Sequence, residues 1–302
     1  MRIPRRWTWG LPVALAALAA GLAYTQPVAV LETAARVRLR LSGVRNQTVQ
    51  AGPYRLRFLE AGSGPPLVLV HGLGSNARQD WGRLVPILAR RFHVVAPDLP
   101  GFGESEKPPA ADYSIRMQVA ALGAFMDARG IARARVAGLS MGGWIVSRFA
   151  GEHPERVERL LVVDAAGMRP ERPDVPAEVL LPRDEEGVRR LVAAVRHNAP
   201  APPSFVARDL LVRLLRQQWV VRRALESMRD GSDWLNGSLR RADMPVLVVW
   251  GKQDALIPVA YGAALAGEFP RARLVVLDGC GHVPMSDCPE AFDGAVIPFL
   301  SQ

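Results

Sequence analysis

Short apolar runs recur along this chain with stretches of helical periodicity between them, and that alternation limits the fold more than any other feature. The runs are Leu67–Val70, Phe92–Ala96, Ala134–Ala137, Leu160–Val163, Val246–Trp250 and Arg273–Leu277. Helical patterns lie between or after them at roughly 77–90, 113–129, 142–153, 258–268 and 289–300. A run that is apolar at nearly every position predicts a strand covered on both faces, as in parallel sheets flanked by helices. Strands alternating with helices predict an α/β fold. Tyr54, Leu56 and Phe58 alternate instead with Arg55, Arg57 and Leu59, the pattern of an exposed antiparallel edge strand. The alternation stops between 168 and about 241. That stretch opens with Pro170, Pro173, Pro176 and Pro182 and continues as helical patterns around 184–197, 203–216 and 218–229. Strands resume at Pro245, so a helical insertion between two strands is expected rather than a separate domain.

Composition narrows the class further. The 302 residues are 49% hydrophobic, which excludes a largely disordered chain. The net charge is +9, carried by arginine, since Lys107 and Lys252 are the only lysines. It reads either as a solvated basic surface or as attraction to an anionic membrane. No basic run is interleaved with aromatics and no zinc-finger spacing occurs, so nucleic acid is not an expected partner. Cys280 and Cys288 form no CxxC and no framework; they read as structural thiols, with a small local disulfide as the alternative.

Residues 1–26 do not read as globular sequence. Arg2, Arg5 and Arg6 precede an uncharged stretch from Trp7 to Gln26. This is the layout of a signal peptide, with small residues at Ala17, Ala19 and Ala23 near a cleavage site. It also suits an uncleaved transmembrane anchor, because about 20 apolar residues span a bilayer core. Trp7, Trp9 and Tyr24 would then sit at the interfaces, and the arginines would hold the N-terminus in the cytoplasm. Either way the body is expected outside the cytoplasm, facing the periplasm or exterior if anchored, or secreted if cleaved. Residues 27–46 read as a linker, with Val28, Leu31, Ala35 and Leu39 near helical spacing as in an amphipathic helix on a membrane. The folded domain is expected over 47–302.

The chemistry concentrates at the ends of apolar runs. Gly138-Leu139-Ser140-Met141-Gly142 follows one run and precedes a helix pattern. That places Ser140 on a tight strand-to-helix turn, where small neighbours let backbones pack and the helix N-terminus favours negative charge. His71-Gly72-Leu73-Gly74 follows another run. The backbone N–H groups of Leu73 and Met141 are candidates for an oxyanion hole. Trp250-Gly251-Lys252-Gln253-Asp254 and Gly279-Cys280-Gly281-His282 end two more. Functional groups of open α/β sheets gather beyond the carboxyl ends of the strands. The expected triad is therefore Ser140, Asp254 and His282, with His282 as base and Asp254 as its orienting acid. Asp164, after Leu160–Val163, is the rival acid. Asp98, with Gly101 and Gly103, is expected to shape a turn. His93, His153 and His197 read as structural, and His71 sits in the oxyanion loop. No metal-ligand spacing occurs, so neither a metal nor a cofactor is expected.

With these residues in view, the chain from about residue 50 to the end resembles the α/β-hydrolase superfamily. The resemblance rests on His71-Gly72-Leu73-Gly74, Asp98-Leu99-Pro100-Gly101-Phe102-Gly103-Glu104-Ser105, Gly138–Gly142, Trp250–Asp254 and Gly281-His282. It implies a mostly parallel eight-stranded sheet flanked by helices, with a helical cap at about 168–241 inserted after the sixth strand. Within the superfamily the chain is most similar to membrane-anchored monoacylglycerol lipases and related bacterial lipases, which implies an apolar acyl ester as substrate. His71, Gly72 and Trp144, with Phe205 and Trp219 of the cap, are the expected substrate contacts; Met168 and Trp234 are further apolar residues of the cap. Gly279-Cys280-Gly281-His282-Val283-Pro284 also resembles hydrolases that cleave carbon–carbon bonds of ring-cleavage products, and this is the alternative reading.

Overall fold

The computed structural model of the chain describes residues 21–169 and 177–302. The basic and apolar residues 1–20, and Pro170, Pro173 and Pro176, lie outside the described residues. Eight strands form one sheet: β1 (Arg45–Ala51), β2 (Tyr54–Ala61), β3 (Pro66–Val70), β4 (His93–Pro97), β5 (Ala134–Leu139), β6 (Val157–Val163), β7 (Val246–Gly251) and β8 (Ala272–Leu277). Their order across the sheet is β1-β2-β4-β3-β5-β6-β7-β8. The pairs β1/β2 and β2/β4 are antiparallel and the others parallel.

The uninterrupted apolar runs are explained by two separate cores. Side chains alternate across a strand with period two. Val68, Val136, Leu160, Val162 and Val248 enter one core, with helices α4 (Ile115–Ala128) and α5 (Met141–Glu152). Leu67, Leu69, Ala137, Leu161 and Val249 enter the other. There they meet α2 (Ala77–Trp81), α3 (Val85–Leu88) and the C-terminal helix α11 (Pro289–Ser301). The inner parallel strands β3, β5, β6 and β7 are therefore buried on both faces, whereas the run at Arg273–Leu277 forms edge strand β8, which is half-buried or exposed along most of its length.

Several expectations shift. The strand at Tyr54–Ala61 is not the edge: β1 pairs along its whole length and buries most of it. Edge strand β1, Arg-Asn-Gln-Thr-Val-Gln-Ala, is too polar to stand out in the sequence, so the sheet begins at Arg45 rather than 47. The pattern at 77–90 is two short helices, α2 and α3, with Gly82 closing the first. Within 27–46 the helical spacing of Val28, Leu31, Ala35 and Leu39 belongs to helix α1 (Pro27–Leu41).

The segment between β6 and β7 carries α6 (Ala177–Leu180), α7 (Glu185–Val195) and α8 (Ser204–Ser227). The two patterns expected at 203–216 and 218–229 are one helix of 24 residues, because no Gly or Pro interrupts Arg216-Gln217-Gln218. This is the helical cap inserted after the sixth strand. Helices α9 (Val259–Glu268) and α10 (Pro284–Asp287) complete the chain. Among the described residues no helix is long and apolar enough to cross a membrane.

Candidate active site

Ser140 is held between β5 and α5 at φ 56°, ψ −121°, a conformation that a non-glycine residue adopts only when its surroundings impose it. The surroundings are visible. Ser140 N–H donates to Val163 O at 2.9 Å, and Ser140 O accepts from Trp144 N–H at 3.1 Å and Ala166 N–H at 3.3 Å. A Cβ at Gly138 would run into the Gly142 carbonyl, and one at Gly142 into the carbonyls of Val70 and His71. The two glycines let β3, β5 and α5 close around the turn. The Ser140 side chain is half-buried at the edge of the sheet.

Asp254 and His282 stand beyond the ends of adjacent strands. Gly251, at the end of β7, pairs with Leu277, at the end of β8. The loops beyond them are zipped by Lys252 N–H to Leu277 O and Gln253 N–H to Cys280 O, both 2.9 Å, and by Cys280 N–H to Gln253 Oε1 at 3.2 Å. His282 Nδ1 lies 2.8 Å from Asp254 Oδ2, and both side chains are buried. Asp254 Oδ1 accepts from Leu256 N–H at 2.8 Å and Ile257 N–H at 2.9 Å. A carboxylate so held fixes one face of the imidazole and leaves Nε2 as the reactive nitrogen. Ser140, Asp254 and His282 thus all lie beyond strand ends on one edge of the sheet.

Asp164, the rival acid, is also there, fully buried and at φ 41°. Its Oδ1 accepts from Gly251 N–H at 2.8 Å, but the histidine bond goes to Asp254. Ligating atoms of Asp164, Asp254 and His282 fall within 4.8 Å of one another. This is the only metal-like grouping among the described residues, and the Asp254 oxygens in it already accept from backbone and imidazole.

The oxyanion loop abuts Ser140: a Cβ on Gly72 would sit 3.3 Å from the Ser140 Cβ. The Gly72 N–H donates to Asp80 Oδ2 at 2.8 Å, and Ser75 Oγ donates to Asp80 Oδ1 at 2.6 Å. Burial pushes the Asp80 carboxyl above the usual carboxylate range, against the pull of His71 and of these two bonds. His71 is fully buried, with Nδ1 2.8 Å from Gly72 O and Nε2 accepting the Leu99 N–H at 2.9 Å. Its ring is committed to the loop and is not available as a substrate contact. Leu73, next to Gly72, is half-buried, and Met141, next to Ser140, is buried.

The structure also places the three other expected contacts. Trp144 is a core residue: its Nε1 donates to Asp233 O at 2.8 Å and its ring stacks on Trp234 at 5.2 Å. Phe205 stacks on Tyr24 of the N-terminal segment at 5.2 Å. Trp219 is 39% exposed and meets Tyr113 edge-on at 5.8 Å. Among the described cap residues, Gln217 Nε2 donates to Gly74 O at 3.3 Å and Val221 faces Gly74.

Cys280 and Cys288 are joined in a disulfide, not free thiols, with Cα atoms 5.8 Å apart. The bridge encloses His282 and Asp287. Asp287 in turn accepts from Gly281 N–H and His197 N–H, both 2.9 Å, and from Arg196 Nε at 2.5 Å, tying the histidine loop to the end of α7. The disulfide is the alternative of the two readings of these cysteines, while Asp80 and Asp287 belong to no motif and carry no signal in the sequence.

Residues 67–295 match the alpha/beta hydrolase family. The chain is 30% identical over 277 residues to 2-hydroxymuconate semialdehyde hydrolase of Pseudomonas sp. (strain CF600), covering 86% of this chain and 94% of that protein. It is 29% identical to Lipase 1 of Psychrobacter immobilis, covering 80% and 79%. The crystal structure of a membrane phospholipase A superposes with a TM-score of 0.84 at 33% identity, covering 98% of both chains. The chain belongs to the alpha/beta hydrolase family.

Proposed function

We propose that the protein is a serine carboxylic-ester hydrolase that turns over apolar acyl esters through an acyl-enzyme, working outside the cytoplasm at a membrane surface. One observation carries the reading: Ser140 stands on a positive-φ turn at the same sheet edge as the hydrogen-bonded His282–Asp254 pair. In this reading Ser140 Oγ attacks the ester carbonyl carbon while His282 Nε2 takes its proton. Asp254 keeps Nδ1 protonated and stabilises the imidazolium. The N–H groups of Leu73 and Met141 receive the oxyanion; one such donor contributes about 3 kcal/mol to the transition state. Collapse expels the alcohol, which takes the proton from His282. Water then attacks the acyl-enzyme with His282 again as base, which releases the acid and regenerates Ser140.

Similarity to a lipase and to a membrane phospholipase A supports a lipid-like ester. The Cys280–Cys288 disulfide supports an oxidising compartment, where such bonds persist. A second reading, carbon–carbon bond hydrolysis with the same triad, is favoured by the similarity to 2-hydroxymuconate semialdehyde hydrolase.

The test is a panel of p-nitrophenyl esters of rising chain length, monoacylglycerols, a phospholipid and a ring-cleavage dienoate, with Ser140→Ala as control. Turnover of the esters is expected, lowered by roughly 10⁴-fold or more in Ser140→Ala. Equal ester turnover by the variant would overturn the mechanism. Turnover of the dienoate alone would establish the second reading.

A further inference from the structure

Asp164 is a fully buried carboxyl that the mechanism does not use. Its backbone is fixed by the N–H to Val249 O at 3.0 Å and sits in the left-handed region. Oδ1 accepts the Gly251 N–H, whereas Oδ2 is buried and has no donor among the described residues. Next to it lies Asp254, which already accepts from Leu256 N–H, Ile257 N–H and His282. Three donors favour the ionised form of a carboxyl, and two adjacent buried carboxyls do not both ionise. The charge therefore belongs on Asp254 and a proton on its neighbour.

We propose that Asp164 holds a proton on Oδ2 and donates it to the Asp254 carboxylate, which makes Asp164 a positioning residue for the Asp254–His282 pair. The proposal rests on the triad reading above. It gives the orphaned Oδ2 its partner and completes the set of donors that fixes Asp254. Burial and then the charge of Asp254 push the Asp164 carboxyl well above the usual range, and the Gly251 bond only partly opposes them. The other charged groups around it are His282 and Asp287, the latter paired with Arg196. A neutral donor has a functional advantage here. It orients the acid without placing a second negative charge beside His282, which would hold the imidazolium and slow proton return to the leaving group.

The experiment uses the full chain. Infrared difference spectra of wild type minus Asp164→Asn, at neutral pH and without substrate, should show the carbonyl band of a protonated carboxylic acid. This readout does not need the ester reaction, so it separates failure of the present inference from failure of the proposed activity. In ester assays Asp164→Asn, which keeps a neutral donor, should hold kcat within about twofold and the acidic limb of kcat/KM within about 0.3 pH unit. Asp164→Ala should lower kcat about tenfold with little change in KM. A missing band would overturn the inference. So would an acidic limb lowered by about one unit in Asp164→Asn, because it would mean that an ionised neighbour had been removed.

Discussion

Asp80 shows how far a single side chain can set the geometry of a reaction it never joins. It holds the Gly72 N–H and the Ser75 hydroxyl, and with them the turn that contains Leu73, the proposed oxyanion donor. In Asp80→Ala the loop loses both acceptors. A misplacement of about 1 Å in such a donor costs up to roughly 10²-fold, so kcat on a soluble ester should fall by tenfold or more, with partial recovery in Asp80→Asn. Wild-type kcat in Asp80→Ala would show that the loop is held by other contacts. Glu60 makes the matching argument for stability. It is buried on β2 and faces His93, Arg129 and Arg45. Burial pushes its carboxyl up, but the His93 hydrogen bond and the Arg129 and Arg45 charges outweigh this and hold it below its ordinary value. A lowered folded-state pKa contributes stability that is fully present above the ordinary glutamate range and is lost as pH falls through the folded value. Glu60→Gln should therefore cost about 2 kcal/mol near neutral pH, since its partners are only partly buried, and the difference from wild type should close in acid. Denaturant titrations of both proteins across that range would read it; a constant gap would disprove the assignment.

Elements differ in how openly the sequence declares them. The buried parallel strands were legible because both faces are covered, so nearly every position is apolar, and Ser140, Asp254 and His282 stood out because each follows an apolar run. Edge strand β1 was not, since a strand paired on one side can be polar throughout. Nor was the continuity of α8, which depends on the absence of a breaker, a weak signal. The substrate contacts were read from residue type alone. Large aromatics such as Trp144 and Phe205 serve packing as readily as binding, and only the structure shows that each is already occupied. The histidine loop is the element whose constraint was hardest to foresee. The Cys280–Cys288 bridge closes a short loop around His282, and Asp287 inside it grips Gly281 and the end of α7. Closing a loop of this length restricts the unfolded chain by about 2–3 kcal/mol. Cys288→Ser, or reduction of the wild type, should lower the thermal midpoint. It should also lower kcat more than KM, because the freed loop carries His282, the proposed base. A reduced protein with unchanged midpoint and kcat would show that Asp287 alone suffices to hold the loop.

At the scale of the whole molecule, α1 buries Leu39 in the second core and is also strapped to the cap. Val28 N–H donates to Asp209 Oδ2 at 2.9 Å, Glu32 pairs with Arg213 at 3.2 Å, and Tyr24 stacks on Phe205. All three partners lie on α8, which also reaches Gly74 of the oxyanion loop through Gln217. One continuous path of contacts therefore runs from the N-terminal helix through the cap to the turn beside Ser140. The opposite side of α1 exposes Leu22, Val30, Val37 and Leu41 with Arg38 and Arg40 alongside, an apolar stripe edged by positive charge. Such a face suits the interface of an anionic bilayer, where each arginine near the surface contributes about 1 kcal/mol and added salt weakens the attraction. If the helix seats the cap on lipid, Val37→Asp combined with Leu41→Asp should lower turnover of a vesicle-borne ester by roughly tenfold, since two buried apolar side chains are lost from the interface. Turnover of a short soluble ester should be unchanged, because neither residue touches the triad or the contacts to α8. The defect should be larger on anionic than on zwitterionic vesicles and should shrink at high ionic strength. Equal losses on both substrates would place the effect in the fold, and no loss on either would leave the stripe without a role at the lipid surface.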